Sequence, residues 1–157
     1  MKRPVAGLAE IVLWVRDMNA AMHFYRDLFG LEVISPQELP IRFLRAGDGM
    51  DGVPEMIVLV THPDSTSTFP REKSKRVLHH LAFRIEAEEY ESLQDTFRAQ
   101  GLEVRSGIHP VLKGVRTFYV DDPEGNEVEC ITHDPDHSDA TKTGYEPAVR
   151  KSGGPTD

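Results

Sequence analysis

The sequence predicts an α+β fold: two tandem βαβββ modules forming a curved, mostly antiparallel sheet, with helices outside and a concave site inside. Three observations predict it. The tetrapeptide Gly-Leu-Glu-Val occurs twice, at 30–33 and at 101–104. Each copy follows an alternating, strand-like run and then a helical stretch. Each copy also opens a set of three strand candidates separated by turn residues.

The first strand candidate, 8–15, alternates Ile11, Leu13 and Val15 with Glu10, Val12 and Trp14. A helix is expected over 18–29, where Met18, Ala21, Met22, Tyr25, Leu28 and Phe29 recur at three- and four-residue spacing. Asp17 can cap its start, and Gly30 can take the left-handed conformation that ends it. Strands are expected at 31–35, 41–46 and 56–60, with turns at Gly47-Asp48-Gly49 and Asp51-Gly52. The second half repeats the order, with a strand at 77–85 and a helix at 88–100 striped by Tyr90, Leu93 and Phe97. Strands at 102–106, 115–120 and 127–132 complete it, the last two divided by Asp122-Pro123-Glu124-Gly125-Asn126. The first module therefore spans 1–62 and the second 77–133. The polar, Pro- and Ser-containing stretch 63–76 reads as a linker, and 134–157 as a tail that is flexible or ordered on a partner.

Composition narrows the function classes. The chain has 157 residues, is 39% hydrophobic and 28% charged, and carries a formal charge of −8. That balance is globular, and the negative charge argues against a nucleic-acid binder, which needs a cationic face to displace counterions. No apolar run reaches the length of a membrane span, and no long apolar stretch follows Met1-Lys2-Arg3-Pro4, so neither membrane insertion nor a signal peptide is expected. The single cysteine, Cys130, permits no intrachain disulfide and sits in a strand-like alternation. It is expected to be buried, in a protein of the cytoplasm.

Strand alternation nominates a site. If Leu81, Phe83 and Ile85 meet the helix, then His80, Ala82 and Arg84 face the concavity, and His79 falls on the helix side. In the last strand Glu127, Glu129 and Ile131 face opposite to Val128 and Cys130. Glu10, His80 and Glu129 thus become polar residues on interior faces of otherwise apolar strands. A carboxylate there is costly unless paired or bound to a cation. One imidazole and two carboxylates suit a divalent metal with positions left open for water or substrate.

These motifs resemble the vicinal oxygen chelate superfamily, which includes glyoxalase I, extradiol dioxygenases, methylmalonyl-CoA epimerase, and fosfomycin- and bleomycin-resistance proteins. The resemblance covers roughly residues 7–133. It rests on Ala9-Glu10-Ile11-Val12-Leu13-Trp14-Val15-Arg16-Asp17 with Phe24-Tyr25 and Leu28-Phe29-Gly30-Leu31, on His79-His80-Leu81-Ala82-Phe83, and on Tyr119-Val120-Asp121-Asp122-Pro123-Glu124-Gly125-Asn126-Glu127-Val128-Glu129. It implies a divalent metal ion (Fe, Mn, Ni or Zn) held by Glu10, His80 and Glu129, where the first position is usually His. It also implies a homodimer acting on a small-molecule substrate that chelates the metal through two neighbouring oxygens.

Isomerases of the glyoxalase type use a further carboxylate where this chain has Val58 or Leu59. Tyr119 lies ten residues before Glu129, a spacing similar to that of the active-site tyrosine of the ring-cleaving dioxygenases, and His109 lies about one residue from the place where those enzymes keep a histidine behind the metal ligands. The resemblance therefore leans toward extradiol-dioxygenase-like chemistry. Tyr119 and His109 are candidate hydrogen-bond donors or proton shuttles, and Arg84 a partner for an anionic substrate. A glyoxalase-I-like lyase or isomerase, and a metal-free antibiotic-binding protein like the bleomycin-resistance proteins, are the alternatives.

Overall fold

A computed structural model describes residues 5–64, 66, 68–70, 72–109 and 111–137. Most of the expected tail lies outside the described residues. Each half closes as its own four-stranded sheet. The first contains β1 (Glu10–Val15), β2 (Glu32–Val33), β3 (Ile41–Met50) and β4 (Val53–Thr61), in the order β1-β4-β3-β2. The second contains β5 (Leu81–Arg84), β6 (Arg105–Ile108), β7 (Val115–Asp121) and β8 (Glu127–His133), in the order β5-β8-β7-β6. In each sheet the opening strand runs parallel to the closing one, and the other pairs are antiparallel. The two tandem βαβββ modules are therefore present, and β1 and β5 are left as sheet edges.

The first helix begins as α1 (Met18–Met22), with the Asp17 carboxylate accepting the Ala20 amide at 3.0 Å. From His23 to Leu28 it widens into a π-helix, which the apolar spacing alone does not predict. Gly30, at φ 71°, ends it as expected. The second helix is a 3₁₀ turn, Ala87–Glu89, leading into α2 (Tyr90–Ala99), and ends at Gly101, at φ 77°.

The two modules share one apolar core. Phe97 of α2 is fully buried and meets Phe29 at 5.0 Å, Phe24 at 6.2 Å and Phe118 at 6.1 Å between ring centroids. Phe29 also meets Phe83 of β5 at 5.0 Å. Cys130 lies in the same core, and burial pushes its thiol far above the ordinary range. A free thiol so held is a small apolar residue.

The turn between β7 and β8 also clasps the first module. Its Asp122 carboxylate accepts the Tyr25 hydroxyl at 2.8 Å and the amides of Glu124 and Asn126. Glu124, with its side chain 4% exposed, accepts both the backbone amide and Nε of Arg16 at 2.6 Å. Burial raises the Asp122 carboxyl above its usual range, although its hydrogen bonds pull the other way. A carboxyl with a raised folded pKa binds more protons folded than unfolded. Its contribution therefore falls as pH rises from the ordinary value of about 3.9 through the raised one. Asp122→Asn is expected to flatten that part of the urea-stability profile. An unchanged slope would contradict the assignment.

Candidate metal centre

The concave face of the second sheet gathers the polar side chains. Register sets Ala82 beside Glu129, and Glu129 beside Tyr119 on the other side. Glu129 is 6% exposed, so its carboxylate needs partners on both oxygens. Oε1 accepts the Tyr119 hydroxyl at 2.9 Å, and Oε2 lies 3.2 Å from Nε2 of His80. Burial, together with the Glu129 carboxylate, raises the Tyr119 phenol above its ordinary range. Tyr119 is thereby kept protonated as a donor at neutral pH.

Gly107 makes room for that ring. A Cβ on Gly107 would stand 2.5 Å from Tyr119 Cε2 and 2.6 Å from Thr117 Oγ1. Gly107→Ala is therefore expected to turn Tyr119 away from Glu129 and to cost about 2 kcal/mol, the scale of a hydrogen bond to a charged group. A urea-unfolding cycle against Tyr119→Ala checks this: the cost should drop when the ring is absent, leaving only the part due to the Thr117 hydroxyl.

Around His80 the sequence reading changes in one respect. His79 does not turn into the helix-facing side; it is exposed, and its Nδ1 lies 2.8 Å from Nδ1 of His80. The reason is local: β5 begins at Leu81, so strand alternation does not govern the two histidines. His79, His80 and Glu127 have ligand atoms within 4.8 Å of one another, the three-donor group found among the described residues. Glu127 also accepts Arg105 at 3.0 Å, while Arg105 reaches Asp121 at 2.6 Å.

The remaining candidates are dispersed. Glu10 is exposed at the start of β1, beside Met56 in register, and is not part of that group. His109 accepts the amides of Val111 and Leu112 on Nδ1, at 3.2 and 2.9 Å, and so holds its own loop together. Arg84 lines a cavity of about 450 Å³ between the modules, with Leu8, Ile11, Asp48, Glu55 and Ala82. Through Ala82 this cavity adjoins the strand position next to Glu129. Sequence reasoning placed Glu127 on the correct face without using it. It passed over Arg105 and Gly107, for which only the β6–β7 register supplies a signal.

A family model described as the glyoxalase/bleomycin resistance protein/dioxygenase superfamily matches residues 7–130. The chain belongs to this superfamily. Solved structures with the superfamily fold superpose over most of both chains. A glyoxalase/dioxygenase from Nostoc punctiforme is 22% identical, with 85% of this chain and 98% of that one covered, at a TM-score of 0.64. A lactoylglutathione lyase from Agrobacterium tumefaciens is 26% identical, with 83% and 96% covered, at 0.56. The fosfomycin resistance protein FosX of Listeria monocytogenes is 25% identical, with 80% and 90% covered, at 0.58.

The superfamily includes metal-dependent enzymes, and the donors present fit a metal. Two ligand atoms about 2.1 Å from one ion at a tetrahedral angle stand about 3.4 Å apart. The 3.2 Å between His80 Nε2 and Glu129 Oε2 suits one ion held between them. No helix among the described residues is long and apolar enough to cross a membrane.

Proposed function

We propose that this superfamily member is a metal-dependent enzyme whose substrate chelates the ion through two neighbouring oxygens, with chemistry closer to extradiol ring cleavage than to thiohemiacetal isomerisation. The observation that carries the reading is the buried Glu129 carboxylate, shared between His80 and Tyr119. In this reading His80 and Glu129 hold the ion, and Tyr119 fixes the Glu129 carboxylate with its one hydroxyl proton, which reaches the substrate only when that bond is released. A bound divalent ion supplies Lewis acidity, stabilising negative charge on a chelating oxygen. Arg84, in the adjoining cavity, is placed to attract an anionic group of the substrate.

The lean toward ring cleavage is supported by Val58. It and Leu59, 3% and 0% exposed, are the two positions at which the resemblance puts an isomerase's carboxylate, and neither offers a base. The names carried by the Agrobacterium and Listeria relatives favour metal-dependent chemistry on small molecules more broadly. A second reading, as a metal-free binding protein, is favoured by one observation. The run His79, His80, Glu129, Tyr119 is hydrogen-bonded or paired throughout without an ion.

Homodimerisation is part of the proposal. Val12 and Trp14 are 53% and 51% exposed on β1, an edge strand, and a second copy laid over them would bury both an apolar face and an unpaired edge. That copy would bring its Glu10 to the metal centre. Sedimentation of the full chain should give a dimer.

The deciding experiment is oxygen uptake by the Fe(II)-loaded chain on a panel of catechols, run beside a thiohemiacetal isomerisation assay. Oxygen consumption that slows about a hundredfold in Tyr119→Phe is the expected result. Isomerisation without oxygen uptake would overturn the lean. No turnover combined with no metal uptake would leave the binding-protein reading.

A further inference from the structure

The geometry points to a second, outer seat for a transition-metal ion, formed by Nδ1 of His79, Nδ1 of His80 and the carboxylate of Glu127. It does not depend on which reaction the chain catalyses, but its one-ion limit rests on the inner seat proposed above at His80 and Glu129. Two nitrogen ligands about 2.1 Å from one ion at a right angle lie about 3.0 Å apart. The two Nδ1 atoms stand 2.8 Å apart, and a carboxylate oxygen of Glu127 lies within 4.8 Å of a ring nitrogen of each histidine. The third donor opens β8, next to Val128, which pairs with Leu81 at the start of β5 directly after the two histidines. Arg105 contacts Glu127 but has Asp121 as a second carboxylate, so a cation taking Glu127 leaves Arg105 paired.

The outer and inner seats share His80 and face opposite sides of its ring. Nε2 points to Glu129, and Nδ1 to His79. A neutral imidazole has one lone pair, so His80 serves one seat at a time. With its proton on Nδ1 it is a ligand of the inner seat beside Glu129. With its proton on Nε2, donated to Glu129, it is a ligand of the outer seat. The chain therefore binds one ion, not two, and the donors sort ions by kind. The outer seat, with two imidazoles, prefers Zn(II) or Ni(II). The inner seat, richer in oxygen, suits Mn(II).

The test uses the full chain labelled with ¹⁵N-histidine and titrated with Zn(II) or Mn(II). Zn(II) should shift Nδ1 of both His79 and His80 in long-range ¹H–¹⁵N spectra and saturate at one ion per chain. His79→Ala and Glu127→Gln should each weaken Zn(II) at least tenfold while changing Mn(II) affinity less than twofold, a split that general destabilisation would not produce. A His79 ring untouched by Zn(II), equal loss of both metals in His79→Ala, or two ions per chain would each overturn the inference. Loss of Mn(II) binding by the wild type would count against the inner seat alone.

Discussion

Phe97→Ala is expected to lower unfolding free energy by about 4 kcal/mol, the usual cost of emptying a buried aromatic site. The effect should be large because Phe97 is fully buried and touches aromatic rings of both modules: Phe24 and Phe29 from the first, Phe118 from the second. The cavity would open at the seam where the two halves share their core, with little chance of collapse from either side. For a domain of this size the loss corresponds to a melting temperature about 10 °C lower. Calorimetry should still show one transition, since the shared core joins the modules. A loss under 1 kcal/mol, or two separated transitions in the wild type, would show that the modules are stabilised independently.

His80→Ala is expected to have the largest functional effect. Its ring is the donor common to both metal seats, through Nε2 toward Glu129 and Nδ1 toward His79. Removing it leaves Glu129 buried with Tyr119 as its remaining partner among the described residues, and leaves Glu127 and His79 without the nitrogen between them. Affinity for both Zn(II) and Mn(II) should fall more than about a hundredfold, beyond the effect of losing a group that merely supports a ligand. Calorimetric titration of chelator-treated protein measures it directly. Because the His80 side chain is 36% exposed, the fold should survive the substitution, so folding and binding are separable. Retention of either metal at wild-type affinity would place that ion elsewhere.

Much of this architecture is legible in the chain because its signals are local. The repeated Gly-Leu-Glu-Val, the Asp17 cap and the glycines at 30 and 101 mark two equivalent helices and their ends, and the structure gives the glycines positive φ. Parity puts Glu129 on the face opposite Val128 and Cys130 because β8 is regular over its paired length, while Tyr119 joins that face only through the β7–β8 register.

Where regularity fails, the reading fails with it. The residues 77–80 alternate like a strand, yet β8 pairs only from Leu81 onward, which freed His79 to join His80. The glycine-rich 47–49 reads as a turn. In the structure β3 runs through it, with register shifts, to Met50, and the reversal is the two-residue Asp51-Gly52 loop, both residues at positive φ. The π-helix His23–Leu28 shares its apolar spacing with an α-helix. The clasp of Tyr25 and Arg16 onto the β7–β8 turn was invisible for another reason. Asp122 to Asn126 is fully explained as a turn by its own composition, and nothing local indicates that it also grips residues about a hundred positions earlier.

Anomalous diffraction from crystals of the full chain equilibrated with Mn(II) locates the ion. A peak is expected about 2.2 Å from both Nε2 of His80 and a carboxylate oxygen of Glu129. No peak beside His80, or a peak that His80 reaches while Glu129 stays bonded only to Tyr119, would contradict it.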